Sequence, residues 1–402
     1  MMIYLDNSAT TAITAPVAET IARTTEIFGN PSSVHAVGLA AAQTVREARR
    51  QVEDALSVPA FLRVDDRLPI GAGARNAFRF FFTSCGSESD NTAVFGLLHA
   101  KKFRELPRII TTDSEHPAML EAISAAKRLG LCESVLLPTV GGVVDTAALD
   151  AALTPNTLLV SVMTVNNETG AVYDIRNIFR RVKARVPGAI CHTDAVQGFL
   201  KLDFPFARSG ADLVSISGHK LGAPKGIGGL LVSNELLVSK RIVPLVYGGG
   251  QESGLRSGTE NVIGIAALGA ACDFERSRLS QSLAKMHTLR ELFAARIGAV
   301  GSGARINTPP VCAEHIISLT LPRVRSETLV RALSNEGICI SNGSACSSHG
   351  SHRKKSVLEA FGLSADEADS TVRISLCPDN SESDVIAAAD AIAENVNKLA
   401  HK

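Results

Sequence analysis

The chain has 402 residues, of which 45% are hydrophobic, and its formal net charge is +1 at pH 7. Because single hydrophobic cores stop growing at about 250–300 residues, we expect two domains. The balanced charge argues against a protein that binds nucleic acid or an anionic membrane surface. The longest conspicuous apolar stretch, residues 262–272, is far shorter than the ~20 residues that a membrane-spanning helix requires.

The start of the chain and its cysteines indicate a reducing compartment. Residues 1–6 (MMIYLD) lack the charged and apolar regions of a signal peptide. The eight cysteines show no paired close spacing. We therefore expect a cytoplasmic protein with reduced thiols rather than a disulfide framework.

From about residue 80 to residue 235, short apolar runs alternate with amphipathic stretches. This pattern predicts a mostly parallel sheet that is covered by helices on both faces. The strand candidates are 80–83, 108–111, 158–163, 189–192, 213–217 and 229–232.

The last third of the chain has a different pattern. Strands are expected at 315–321, 338–341 and 371–376, and helices at 326–336 and 382–399. This predicts a second, compact α+β domain, and a turn-rich region precedes it at 248–258. We predict that residues 16–261 form a large α/β domain and that residues 1–15 and 262–402 form the small one.

Polar clusters follow five of the predicted strands. They are 84–87, His116, 166–168, 194–197 and 217–220. Ligands of such sheets collect at the carboxyl ends of the strands, so these clusters are expected to share one site.

Two of these clusters indicate a cofactor. Asp194 ends one apolar run, and Lys220 closes the Ser-Gly-His-Lys sequence that ends the next. An acid and a lysine in this arrangement suit pyridoxal 5'-phosphate, because the lysine can form a Schiff base and the acid can pair with a protonated pyridine nitrogen.

With the motifs assembled, the chain resembles the cysteine desulfurases of the NifS/IscS type, which are fold-type I pyridoxal-phosphate enzymes. The resemblance runs nearly the full length and implies that fold for the large domain, with the small α+β domain carrying the catalytic-cysteine loop. It rests on YLDNSATT at 4–11, GNPSS at 29–33, FTS at 82–84, ESDN at 88–91, EH at 115–116, VNNETG at 165–170, SGHK at 217–220, GGGQE at 248–252, RSGT at 256–259, GSAC at 343–346 and VRISL at 372–376.

The resemblance implies roles around the cofactor ring. Lys220 is expected to form the Schiff base and Asp194 to keep the pyridine nitrogen protonated. Gln197 resembles the residue that bonds the phenolic oxygen. His116 resembles the histidine that stacks on the ring and can move protons.

The resemblance also implies a phosphate subsite. Gly86 and Ser87 precede a helical stretch expected to begin near residue 88, where free backbone N–H groups bind anions. Ser217 and His219 add donors. Thr259 resembles a threonine that reaches the phosphate from the neighbouring subunit, which implies a homodimer. Ser87 could instead cap the helix.

Asn167 and Arg373 resemble the pair that binds the substrate carboxylate, which the guanidinium fork can meet with two hydrogen bonds. A structural salt bridge is the alternative for Arg373. Cys346 resembles the nucleophile: it lies among glycine and serine in a stretch suited to a loop, and its thiolate would attack the substrate sulfur.

The implied reaction converts L-cysteine to L-alanine and leaves a persulfide on Cys346. The sulfur would pass to a protein acceptor, such as an iron–sulfur scaffold or a thiolation enzyme, for clusters, tRNA or related cofactors. A selenocysteine lyase or broader β-lyase, a class V aminotransferase and a non-catalytic sulfur-carrier subunit are the alternatives on the same scaffold.

The sequence departs from the family pattern at three places. Cys85 stands where glycine is usual, residues 59–78 form an extra surface insertion, and residues 349–355 (HGSHRKK) are basic. Cys346 with His349 and His352 could form a metal site. A loop without a fourth ligand is a poor pre-formed site, so we expect no metal.

Overall fold

The computed structural model describes residues 2–65, 68–299, 303–343 and 356–400. Its strands are β1 (Ile3–Tyr4), β2 (Phe78–Thr83), β3 (Arg108–Thr112), β4 (Glu133–Leu137), β5 (Thr157–Ser161), β6 (Ile190–Asp194), β7 (Leu213–Ser217), β8 (Gly228–Ser233), β9 (Arg305–Ile306), β10 (Ile316–Thr320), β11 (Ile338–Cys339), β12 (Ser341–Asn342) and β13 (Thr371–Ser375). Its α-helices are α1 (Ala15–Thr24), α2 (Ala36–Ala55), α3 (Gly86–Leu98), α4 (Pro117–Arg128), α5 (Thr146–Ala152), α6 (Ile175–Arg185), α7 (Asn234–Val238), α8 (Val262–Ala299), α9 (Ser326–Asn335), α10 (Val357–Phe361), α11 (Ala365–Asp369) and α12 (Glu382–Ala400).

The central sheet has seven strands in the order β2-β8-β7-β6-β5-β3-β4. Strand β8 pairs antiparallel with both β2 and β7, and the other pairs in the sheet are parallel. The predicted α/β class and mostly parallel sheet are thus confirmed. The sequence analysis missed β4, which lies at the edge of the sheet, because Glu133 and Ser134 interrupt its apolar run and only Leu137 is fully buried.

Two neighbouring strands position the predicted cofactor site. All residues of β6 and β7 are buried, and the strands pair in parallel with Asp194 opposite Ser215. Their polar carboxyl ends therefore meet at one edge of the sheet, as expected for a ligand site.

The small antiparallel sheet has the order β12-β13-β10-β9. The prediction of one strand over 338–341 was wrong. The chain changes sheets at Ile340, because β11 pairs with β1 whereas β12 pairs with β13. This switch brings Ser341 and Asn342 to the predicted site.

Within the described residues, buried hydrophobic side chains form three large clusters, two against the central sheet and one against the small sheet. Val17 and Ile265 belong to one central-sheet cluster, and Phe81 belongs to the other. Leu5 and Phe293 belong to the cluster of the small sheet. Because Ile265 and Phe293 lie on the same helix, α8 joins a central-sheet cluster to the cluster of the small sheet.

The insertion at 59–78 packs against the edge of the central sheet. The buried guanidinium of Arg79 donates to the carbonyl oxygen of Leu68 at 2.7 Å. Asn234 donates to the carbonyl oxygens of Ala72 and Ala74, each at 2.9 Å. Within the described part of the chain, no helix is both long and apolar enough to cross a membrane.

Candidate active site

A cavity of about 370 Å³ lies at the carboxyl edge of the central sheet. It is lined by ten of the residues predicted from the sequence: Gly86, Ser87, His116, Asn167, Asp194, Gln197, Ser217, His219, Lys220 and Arg373. Thr259 does not line it, and Cys346 lies outside the described residues. The cavity is thus built by segments that are distant in the sequence.

Lys220 is held at the floor of the cavity by the N-terminal segment. It ends a single 3-10 turn that follows β7 directly. Its Nζ donates to the carbonyl oxygen of Ala9 at 2.7 Å and to that of Ser8. Burial, and next the charge of Arg373, lower the pKa of Lys220 to about 8. The unprotonated, nucleophilic fraction of this amine near neutral pH is therefore much larger than that of an ordinary lysine.

Asp194 lies in the same cavity beside a second buried acid, Asp90. The Oδ1 atom of Asp194 accepts a 2.8 Å hydrogen bond from the backbone N–H of Val196. Burial raises the pKa of Asp194. Burial, followed by the charge of Asp194, raises the pKa of Asp90 well above its usual value. The cavity therefore favours a cationic partner at Asp194, because such a partner would replace the lost solvation of its charge.

His116 caps the N-terminus of α4. Its Nδ1 accepts a 3.1 Å hydrogen bond from the backbone N–H of Ala118, so the neutral ring carries its proton on Nε2. Desolvation by the surrounding atoms lowers the pKa of His116, although the ring is open to solvent in the single chain. A neutral, flat ring in the cavity wall is suited to stack on an aromatic ligand.

The first turn of α3 forms an anion subsite. The helix begins at Gly86 and has no side-chain hydrogen bond at its N-cap, Cys85, so backbone N–H groups remain available to a ligand. Ser217 contributes a buried Oγ that has no hydrogen-bond partner. The alternative that Ser87 caps this helix was wrong, because Ser87 lies inside the first turn.

The loop before α3 is fixed from both sides. Glu88 accepts from the backbone N–H of Ser84 at 2.7 Å and from Arg256 Nε at 2.9 Å. On the other side, Gly228 of β8 runs so close that a Cβ there would lie 2.8 Å from the backbone carbon of Cys85. The half-buried thiol of Cys85 is thereby placed in the cavity wall.

His219 and Gln197 line the cavity between Lys220 and the N-terminal segment. His219 Nδ1 lies 3.2 Å from Thr10 Oγ1, and burial, with the charge of Lys220 second, lowers the pKa of His219 to about 4. Gln197 Nε2 donates to the carbonyl oxygen of Ser8 at 2.9 Å. A neutral His219 can offer a hydrogen bond to an anion but adds no charge.

Arg373 both lines the cavity and forms a salt bridge. Its Nη2 lies 2.7 Å from Asp6 Oδ1, and its Nη1 donates to the carbonyl oxygen of Asn167 at 2.9 Å. Its Nε is buried without a hydrogen-bond partner. The salt-bridge alternative therefore describes how the guanidinium is held in place, and it is compatible with carboxylate binding.

The segment that leads to Cys346 enters at the same cavity. Ser341 and Asn342 line it, and the backbone N–H of Gly343 donates to the carbonyl oxygen of Thr371 at 3.1 Å. Cys346 follows Asn342 by four residues, so their Cα atoms are at most about 14 Å apart. His349, His352 and the rest of the basic stretch also lie outside the described residues. Within the described residues, no cluster of His, Cys, Asp or Glu could hold a metal ion.

Thr259 lies on an exposed loop that a buried ion pair holds against β2. Arg49 contacts Glu252 through two hydrogen bonds of 2.8 and 2.9 Å, and Glu252 also accepts from the backbone N–H of Phe82 at 2.8 Å. Thr259 itself is exposed and does not line the cavity that holds Lys220.

Sequence reasoning assigned no role to several residues of the cavity. Asp90 and Glu168 both line it, and burial raises the pKa of Glu168 to about 7. The carbonyl oxygens of Ser8 and Ala9 bind Lys220. All four lie inside the motifs that carry the resemblance, and that position was a signal that could have pointed to them. The roles of Ser8 and Ala9 could not be read from their side chains, because their backbone carbonyl oxygens make the contacts.

These features fit pyridoxal phosphate. Asp194 is a buried acid that lacks a cationic ligand partner, Ser217 Oγ is an unpaired donor, and the start of α3 offers N–H groups to a phosphate. Lys220 supplies an amine with a lowered pKa in the same cavity. The donors and acceptors of the cavity thus match the ring nitrogen, the phosphate and the aldehyde of that cofactor.

Comparisons with known proteins agree with this chemistry. Residues 70–387 match the family described as aminotransferase class-V. A cysteine desulfurase from a Nostoc species is 37% identical over 400 residues, which cover 99% of this chain and 94% of that protein. A solved NifS-like protein gives a TM-score of 0.87 at 32% identity and covers 99% of this chain and 100% of its own. A structure described as SspA in complex with cysteine gives 0.74 at 31% identity, over 93% of this chain and 99% of the other.

Proposed function

The chain belongs to the class-V aminotransferase family and, within it, to the cysteine desulfurases, and we propose that it converts L-cysteine to L-alanine with a persulfide on Cys346. The observation that carries the proposal is the cavity in which Lys220, Asp194 and Arg373 meet the segment that leads to Cys346. Its relatives of known activity are similar over nearly the whole chain.

The family depends on pyridoxal phosphate, and in this chain Lys220, Asp194, Gln197, His116 and the start of α3 would hold it. When bound, the cofactor supplies an electron sink for the negative charge that develops at the α-carbon of an amino acid. Asp194 would keep the ring nitrogen protonated. The phosphate would take the N–H groups of Gly86 and Ser87 with the hydroxyl of Ser217, and His219 would add a neutral donor.

Arg373 and Asn167 would bind the substrate. Asp6 and the Asn167 carbonyl orient the guanidinium, so one edge of it is already positioned when cysteine arrives. A carboxylate at this guanidinium would gain a charge-assisted hydrogen bond. Lys220, whose pKa is about 8, can then take the α-proton as a base and return a proton.

Cys346 would complete the reaction as a thiolate. Its sulfur attacks the sulfur of the substrate, so an S–S bond forms while the substrate C–S bond breaks. A proton restores the methyl group of alanine, and the outcome is one alanine and one persulfide. No external oxidant is needed, because the thiol and the substrate together hold all the atoms and electrons of the products.

We further propose that the protein acts as a homodimer in which Thr259 of one subunit reaches the phosphate bound by the other. Thr259 is exposed and does not line the cavity that holds Lys220 in its own chain. Phe28, Val34 and Tyr247 are 83%, 90% and 74% exposed. Residues 31–32 and 249–253 line one groove, so these apolar side chains belong to neighbouring segments, which suits a protein interface.

The remaining proposals concern location and sulfur transfer. The seven cysteines of the described residues are free thiols, which suits the proposed cytoplasmic location. A protein acceptor, such as an iron–sulfur scaffold or a thiolation enzyme, would take the sulfur from Cys346. The proposed domain division remains 16–261 against 1–15 and 262–402.

The test measures both products of the cofactor-loaded protein with cysteine under reducing conditions. Wild type should release alanine and sulfide in equal amounts, and Cys346→Ser should release neither above background. Cys312→Ser, a change of a different cysteine whose thiol is half-buried, should match wild type. Formation of a keto acid instead of alanine would indicate an aminotransferase. Selenide release from selenocysteine by both wild type and Cys346→Ser, without reaction on cysteine, would indicate a selenocysteine lyase.

A further inference from the structure

A second lysine, Lys201, lies behind the wall of the cavity next to Gln197. Its half-buried side chain places Nζ 3.4 Å from Gln197 Oε1. Burial, with the charge of Lys220 second, lowers the pKa of Lys201 to about 7. Lys201 does not line the cavity. It can therefore act on a bound ligand only through a neighbour.

The contacts of Gln197 determine which way its carboxamide faces. The Nζ of Lys201 carries N–H donors in either protonation state, and it donates to the oxygen Oε1. The carbonyl oxygen of Ser8 only accepts, so it selects the nitrogen Nε2, which donates to it at 2.9 Å. The two partners agree on one orientation. Nε2 has two hydrogens, and one remains for the cavity that Gln197 lines.

The backbone supports the placement of Lys201. Leu200, the preceding residue, is buried and has φ of 54°, in the left-handed region that a leucine rarely adopts. Such a conformation is unfavourable for a leucine and persists only where the surroundings impose it, often at functional sites. A turn holds it, in which the backbone N–H groups of Lys201 and Leu202 both donate to the carbonyl oxygen of Gly198.

The carboxylate nearest in effect to Lys201 is already paired with an arginine. Glu275 favours the positive charge of Lys201. It accepts two hydrogen bonds from Arg278, at 2.7 and 3.1 Å. Cys377 favours the charge of Lys201, and Lys220 and Arg373 oppose it. The buried ring of His315, whose nitrogens have no hydrogen-bond partner, also lies within reach of the charge of Lys201. Gln197 is the hydrogen-bond acceptor that the described residues offer to Nζ.

We propose that Lys201 is a positioning residue, whose Nζ donates to Oε1 of Gln197 and so holds the carboxamide with an Nε2 hydrogen facing the cavity, where it donates to an anionic oxygen of the bound cofactor. The inference rests on the proposed cofactor and adds to it the residue that orients the donor. Without Lys201, Oε1 loses its donor, and the Ser8 carbonyl oxygen alone selects the orientation of the amide. When Lys201 is protonated, its positive charge would also favour the anion.

The test titrates the cofactor-free protein with pyridoxal phosphate and follows the visible absorbance. Lys201→Met should weaken binding about 10-fold, the effect of one lost hydrogen bond. It should also move the pH midpoint of the absorbance change of the loaded protein upward, because a nearby positive charge is removed. Lys201→Arg keeps charge and donor and should stay within about 3-fold of wild type. Lys127→Met, at an exposed lysine, should match wild type.

A double-mutant cycle separates positioning from a general structural role. In a Gln197→Ala background, Lys201→Met should cause no further loss of affinity. An equal loss in both backgrounds, or a Lys201→Met protein that binds like Lys127→Met, would overturn the proposal. If circular dichroism shows that Lys201→Met is unfolded, Lys201→Gln takes its place with the same expectations. Wild-type protein that binds no cofactor would overturn the proposed function and, with it, this inference.

Discussion

Lys220 Nζ donates to the carbonyl oxygen of Ala9, a hydrogen bond of 2.7 Å that joins residues 211 positions apart. The lysine follows a strand of the central sheet, whereas Ala9 belongs to the N-terminal segment that packs with the small sheet through Leu5. This hydrogen bond therefore links the end of a central-sheet strand to the segment that packs with the small sheet. The two carbonyl oxygens of Ser8 and Ala9 would hold the amine until it reacts with an aldehyde.

The lowered pKa of Lys220 predicts how fast the cofactor attaches. Only the unprotonated amine attacks the aldehyde, so the rate of attachment should rise with pH up to about 8 and level off above it. For a lysine with an ordinary pKa, the rate of attachment would keep rising to about pH 10. Stopped-flow absorbance of the cofactor-free protein from pH 6 to pH 10 measures this. A rate that still rises tenfold between pH 9 and pH 10 would contradict a lowered pKa.

Asp194→Asn should reduce the turnover of cysteine by about 10²–10³-fold. The amide keeps the shape of the side chain, yet it cannot stabilise a protonated ring nitrogen, and single electrostatic contacts at a reacting centre have effects of this size. Steady-state kinetics of the loaded protein give the ratio. Asp203→Asn, at an exposed aspartate, is the matched control; a similar turnover in both variants would remove Asp194 from the cofactor site.

Gly228→Ala should weaken cofactor binding through the phosphate subsite. The added Cβ would lie 2.8 Å from the carbonyl oxygen of Ile216 and equally close to the backbone of Cys85, so the loop before α3 must shift. We expect about a 10-fold loss of affinity, measured by absorbance titration. Gly188→Ala, where a Cβ meets nothing within 4 Å, should bind like wild type. Equal affinities would show that the loop tolerates the displacement.

Glu252→Ala should destabilise the fold by about 3–5 kcal/mol. Glu252 and Arg49 form a buried ion pair with side chains 3% and 10% exposed, and removing one partner leaves a buried charge without its counter-charge. Glu235→Ala breaks the exposed pair with Arg75 and should cost at most about 1 kcal/mol. Urea unfolding of both variants gives the comparison. Similar losses would mean that burial of the Arg49 pair adds nothing to stability.

The sequence predicted the elements whose signals are local. A fully buried strand such as β7 reads as an apolar run, and the lysine that follows it stands out in its motif. Strand β4 was missed because an edge strand with polar residues has no such run. Residues 338–341 were read as one strand because the change of partner at Ile340 depends on β1 and β13, which are far away in the chain.

The prediction of the site is limited in the same way, because contacts between distant segments leave no local sequence pattern. Asp194 and Lys220 are recognisable from their own neighbours in sequence. The burial of Asp90 beside Asp194, the carbonyl of Ala9 at Lys220 and the placement of Lys201 behind Gln197 arise from packing between distant segments. No pattern within one segment carries such information.

Mass spectrometry after a single turnover with cysteine labelled at sulfur by a heavy isotope can detect the proposed persulfide on Cys346. We expect one labelled sulfur atom on the peptide that contains Cys346, in an amount equal to the alanine released. Alanine formed with the label entirely in free sulfide, or attached to another cysteine such as Cys85, would contradict the proposal.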